Sequence, residues 1–119
     1  MVVDVASVAV PVADQERAKR FYTEKLGFEV RLDVPTADSG RWVQVAAPGA
    51  RVPIALVAGA ASPDAVVTLA STDAEADHAA LAARGVEVDE LLQWPGVPAM
   101  FSFRDSEGNS LKVMGTAVR

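Results

Sequence analysis

Residues 7–30, SVAVPVADQERAKRFYTEKLGFEV, lie over residues 66–88, VVTLASTDAEADHAALAARGVEV, and this match organises the chain. Asp14 falls on Asp73, Gly27 on Gly85 and Val30 on Val88. Each copy opens with an apolar strand, carrying Val8, Val10 and Val12 in the first and Val67 and Leu69 in the second. Each then breaks at an acidic cap, runs a helix of about three turns and stops at glycine. In the first copy Ala18, Phe21, Tyr22 and Leu26 recur at helical spacing as a buried stripe, with Tyr22 expected beneath the sheet. In the second, Thr72 and Glu75 have the spacing of a capping box.

Three further strand candidates follow each glycine: residues 28–33, 41–46 and 52–57, then 86–91, 99–104 and 110–114. The chain therefore reads as an α+β protein built by internal duplication of a βαβββ module. Residues 1–57 form the first module, 66–116 the second, and the linker 58–65, AGAASPDA, joins them in a single domain, 1–119. The turn-rich segments PTADSGR (35–41) and LLQWPGVP (91–98) fall in equivalent places and read as lips.

Strand alternation separates two faces. Val8, Val10, Val43, Val45, Ile54, Leu56, Val67, Leu69, Phe101, Phe103, Leu111 and Val113 form one apolar set that must meet the helices. The opposite set holds Ser7, Ala9, Trp42, Gln44, Ala55, Thr68, Met100, Ser102 and Lys112, a mixture that suits a small-molecule cleft as well as a solvated surface. Trp94, in the second lip, joins Trp42 as an aromatic that either closes the end of a core or stacks on a flat ligand.

At 119 residues, half of them hydrophobic, the chain has material for one real core. Its 16 acidic against 11 basic residues leave a net charge of -5 and no basic patch, which argues against a nucleic-acid partner. The absence of cysteine excludes disulfides and thiolate metal sites. No apolar run approaches the roughly 18 residues of a membrane span, and MVVDVASVAV has no cationic leader region, so a soluble cytoplasmic protein is expected.

DQERAKRFYTEKLGFEV, GRWVQVAAPG and FRDSEGNSLKV, taken in order, resemble the vicinal oxygen chelate superfamily, the glyoxalase, bleomycin-resistance and dioxygenase group. The resemblance spans residues 7 to 114. It implies paired βαβββ modules in an incomplete eight-stranded barrel, helices on the outer face, a concave cleft, and a homodimer. In the superfamily's enzymes, histidine, glutamate or glutamine at four strand positions hold one divalent metal that polarises vicinal substrate oxygens. Those positions fall here at Ser7, near Ala55, at Val66 and at Lys112, which are not a ligand set; Gln44, with a shift in alignment, offers one oxygen. A lysine ammonium beside the centre would repel a cation.

Other catalytic signatures are missing: the sequence has no nucleophile elbow, no phosphate loop and no cysteine nucleophile. His78, the only histidine, falls mid-helix among alanines, and Asp105 and Glu107 belong to the turn DSEGN, where Gly108 and Asn109 tolerate left-handed backbone. The expectation is thus a metal-free small-molecule binding protein without cofactor or catalytic residues. Its cleft residues are Ser7, Trp42, Gln44, Ala55, Thr68, Trp94, Met100, Ser102 and Lys112. Two alternatives stand beside it: a metal-dependent lyase or dioxygenase of the superfamily, and a structural or regulatory dimer without a ligand.

Overall fold

A computed structural model describes residues 1–37 and 40–118. The chain folds as two compact units, divided between Ala61 and Ser62. In the first, β1 (Val8–Val12) leads into α1 (Gln15–Glu24), followed by β2 (Glu29–Pro35), β3 (Arg41–Ala46) and β4 (Ile54–Ala58), with sheet order β1-β4-β3-β2. In the second, β5 (Ala65–Ser71) and α2 (Ala74–Ala83) precede β6 (Pro98–Arg104) and β7 (Ser110–Val118), with order β5-β7-β6. The first and last strands of each unit pair in parallel, as a helical crossover permits, and the last strand pairs antiparallel with its predecessor on its other side.

Both helices start where the acids stand. The Asp14 carboxylate accepts from the Arg17 amide at 3.0 Å, and Asp73 accepts from Ala76 at the same distance. Asp73, not the expected Thr72, is the cap of α2, and the Glu75 carboxylate accepts from Gln93 Nε2. Gly27 and Gly85, just beyond the helix ends, have φ of 73° and 83°, where a Cβ would be strained.

Each core lies between its helix and one sheet face. Val10, Val12, Val43, Val45 and Leu56 are buried with Ala18 and Tyr22 of α1, so Tyr22 sits beneath the sheet as its spacing predicts. Phe101, Phe103, Leu111 and Val113 are buried in the second unit, while Val8, Val67 and Leu69 are half-buried. Gln15 fastens α1 to the first sheet, its Nε2 donating to the carbonyls of Arg41 at 2.9 Å and Leu56 at 2.8 Å. Beside it Asp33 of β2 accepts from Lys19 Nζ at 2.9 Å and Arg41 Nη2 at 2.7 Å.

The expected strand at 86–91 is the main departure: seven strands, not eight, are formed among the described residues. In its place Val88 bridges Phe103 and Leu92 bridges Met100, so four steps along this segment face three along β6. One surplus residue breaks the ladder and bends the segment, as in a β-bulge. β2 carries a similar shift between Val30 and Leu32. In PTADSGR, Thr36 donates its amide to the Gly40 carbonyl, while Asp38 and Ser39 lie outside the described residues.

DSEGN is a turn with a buried anchor. Asn109 is fully buried; its Oδ1 accepts from the Ser62 amide at 2.7 Å and its Nδ2 donates to Asp105 Oδ2 at 3.0 Å. The Ser110 amide returns a bond to the Ser62 carbonyl, so the turn holds the chain just before it enters β5. Asn109→Ala would take the acceptor from the half-buried Ser62 amide and one donor from the Asp105 carboxylate, and should cost about 2 kcal/mol in urea unfolding. A loss below about 0.5 kcal/mol would contradict this role.

The Arg41 guanidinium and the Lys19 ammonium lower the Asp33 pKa from 3.8 to about 2. A carboxylate depressed on folding contributes stability that is present above the unfolded value of 3.8 and lost as pH falls towards about 2. Asp33→Asn should therefore flatten the acid limb of stability in that window. Melting curves of the two proteins that stay parallel from neutral pH to pH 2 would refute it.

Candidate functional site

In the second unit the face opposite α2 is ordered by β7. Leu111 and Val113 are buried on the helix side, so Lys112 between them stands on the other, as strand alternation requires. Register places Thr68 of β5 and Ser102 of β6 on either side of it, and Ala70 and Met100 on either side of Met114.

A recess of about 240 Å³ opens on this face. One wall is Met100, Ser102 and Lys112, bordered by Phe101, and the other is Asp89, Glu90 and Leu92 from the bulged segment. Its volume is below the roughly 300–1,000 Å³ of pockets that enclose a drug-sized molecule. It therefore fits one ring or head group of a larger ligand.

The electrostatics of the recess are unequal. Arg104 Nη2 meets the Asp89 carboxylate at 3.1 Å and 3.4 Å, which balances that charge at the rim. The Arg104 Nη1 atom is buried with no hydrogen-bond partner among the described residues. Lys112 is half-buried, and among the described residues its ammonium makes neither an ion pair nor a hydrogen bond. Three donors and a positive charge so placed favour an acceptor oxygen from outside the chain.

The remaining sequence-derived residues are dispersed. Thr68 is exposed beside Lys112 but does not line the recess, and Trp94 is 54% exposed in a turn closed by the Val97 amide on the Trp94 carbonyl. In the first unit Gln44 lies between Ala55 and Leu32, and Trp42 pairs with Val34. Leu32, Val34 and Trp42 are 37%, 42% and 38% exposed, an apolar patch with one amide in it; Ala55 is 1% exposed and offers a ligand almost no surface. Ser7 is half-buried and precedes β1.

Asp89, Glu90, Leu92, Leu32 and Val34 escape a reading based on alternation. Each of these stretches carries a bulge, and one surplus residue moves every later side chain to the other face. The consecutive Leu91 and Leu92 after an acidic pair are the only sequence signal of it.

A divalent metal does not fit the donors present. The positions at which the resemblance implies ligands carry a hydroxyl, a methyl, an isopropyl and an ammonium group, at Ser7, Ala55, Val66 and Lys112. No three His, Cys, Asp or Glu side chains are grouped to share an ion among the described residues. Binding through Lys112 and apolar contact is what this arrangement supports chemically.

Comparison with known proteins converges on one family. A sequence model of the Glyoxalase/Bleomycin resistance protein/Dioxygenase superfamily matches residues 4–113. TnmS3, an antibiotic binding protein from Streptomyces sp. CB03234, is similar in structure with a TM-score of 0.84 and 34% identity, over 98% of each chain. A glyoxalase/bleomycin resistance protein from the same organism is 35% identical with a TM-score of 0.78, over 93% of this chain and 99% of that one. A superfamily member from Sphaerobacter thermophilus DSM 20745 reaches a TM-score of 0.88 at 28% identity, over 97% of this chain and 98% of that one.

Because Trp42 and Trp94 are both outside the cores, Trp42→Phe and Trp94→Phe should each unfold in urea within about 0.5 kcal/mol of the parent. A loss above about 1.5 kcal/mol in either would assign it to a core.

Proposed function

The chain belongs to the Glyoxalase/Bleomycin resistance protein/Dioxygenase superfamily, and on that premise we propose that it is a small-molecule binding protein that works without a metal. Lys112 carries the proposal. At the strand position where the resemblance implies a metal-ligating glutamate stands an ammonium that lines a recess and has no partner among the described residues. A cation in that place opposes a divalent ion and favours a ligand oxygen, anionic or carbonyl. Met100 and Leu92 supply apolar surface beside it, and Ser102 a hydroxyl. Stoichiometric sequestration of a drug or metabolite needs no more than such a site, and the likeness to an antibiotic binding protein supports this reading.

The proposal extends to Ser7, Trp42 and Gln44 as ligand contacts of the first unit, and to Thr68 and Trp94 of the second; Ala55, buried, is left out of it. It also includes duplicate modules at 1–57 and 66–116 joined by linker 58–65, a cytoplasmic location and a homodimer. For the dimer, the apolar patch of Leu32, Val34 and Trp42 is the supporting feature. Light scattering should then give about twice the 12.5 kDa chain mass.

The test joins metal content to ligand binding. Elemental analysis of tag-free protein should find no stoichiometric divalent metal. In a thermal-shift screen of oxygen-bearing aromatics, Lys112→Met should weaken any hit by more than about 1 kcal/mol, the scale of a charge-assisted hydrogen bond, with little change in the unliganded melting temperature. One zinc, nickel or iron per chain would overturn the proposal in favour of a metal-dependent lyase or dioxygenase. Unchanged affinity in the variant would remove Lys112 from the site.

A further inference from the structure

The lip of the recess is held from behind by a residue that does not line it. Asp89 lies where the surplus residue interrupts pairing with β6. Its amide donates to the Ser102 carbonyl at 2.8 Å, but its own carbonyl accepts from His78 Nε2 of α2, also at 2.8 Å. A carbonyl only accepts, so Nε2 carries the proton. The same imidazole stands edge-on to Phe101, with ring centroids 4.9 Å apart and planes at 83°. His78 thus touches Asp89 on one wall and Phe101 at the border of the other.

We propose that His78 is a positioning residue of the recess: by donating Nε2–H to the Asp89 carbonyl it fixes the bulged lip, so ligand affinity depends on a side chain that touches no ligand. This rests on the reading of the recess as the ligand site. A bulge leaves a backbone carbonyl outside its ladder, and such a group requires a donor. Without His78 the carbonyl turns to water, and the lip that carries Asp89, Glu90 and Leu92 is released between its bridges at Val88 and Leu92.

The experiment compares His78→Phe, which keeps an aromatic edge on Phe101 and removes the donor, with His78→Gln, which restores a donor. The probe is 8-anilinonaphthalene-1-sulfonate, an aromatic anion suited to an apolar recess beside a lysine. Hydrogen exchange at the Asp89 and Leu92 amides should accelerate roughly fivefold or more in His78→Phe, the scale of one net hydrogen bond, with the β6–β7 amides unmoved. Probe affinity should fall by a similar factor, and His78→Gln should recover most of both. Unchanged exchange at Asp89 and Leu92 in His78→Phe overturns the inference. Lys112→Met run alongside separates the two claims. If Lys112→Met weakens the probe and His78→Phe does not, the positioning role fails and the site stands; if Lys112→Met leaves the probe unaffected, the site reading fails, and the affinity role of His78 with it.

Discussion

The register of β7, held between parallel β5 and antiparallel β6, determines the chemistry of the second unit. A central strand has no freedom to slip, because a shift by one residue would take Leu111 and Val113 out of the core and bring Lys112 into it. An ammonium with no counter-ion in that core would cost several kcal/mol. The register is therefore strongly fixed, and Lys112 is committed to the outer face by the burial of its neighbours. The turn before β7 reinforces this. Buried Asn109 joins the Asp105 carboxylate to the backbone at Ser62, so the starts of β5 and β7 are tied together.

From that commitment the features of the recess follow in order. Lys112 is flanked by Ser102, and Met100 lies one register step further along the same face. The bulged segment supplies the opposite wall, and Arg104 balances Asp89 there, leaving the lysine without a partner among the described residues. The first unit has similar strand pairing but a different surface. Its outer face is the apolar set of Leu32, Val34 and Trp42 around Gln44, and its charged network of Asp33, Lys19, Arg41 and Glu16 joins the sheet to α1. The recess with its lysine thus belongs to the second unit, and the charged network that fastens a helix to its sheet belongs to the first.

What could be read in the sequence was whatever depends on local period and local chemistry. Asp14 and Asp73 cap their helices because a short acid before a helical stripe satisfies free amides wherever it occurs. Tyr22, Phe101 and Lys112 face as alternation and helical spacing require, since the periods of 3.6 and 2 are geometric. The rest was hidden for definite reasons. A bulge is a backbone event that side-chain pattern barely records, so the pattern puts Asp89 and Glu90 in a regular strand and Leu92 in the lip beyond it. The Asn109–Ser62 bond and the His78–Asp89 bond cross 47 and 11 residues, distances at which spacing carries no information. Thr72 is displaced as a cap by the adjacent Asp73, and the bond between Gln93 and Glu75 crosses 18 residues, which spacing does not record either.

The central claim is that Lys112, without a partner among the described residues, stands in place of a metal at the recess and receives a ligand oxygen. Amide chemical-shift mapping of the isotope-labelled protein tests it most directly, with carboxylate- and carbonyl-bearing aromatic fragments in one titration and zinc in another. The account requires fragments to move the amides of Met100, Ser102 and Lys112 in a saturable way, and zinc to leave them in place. Stoichiometric zinc shifts at those residues, with no response to any fragment, would contradict it.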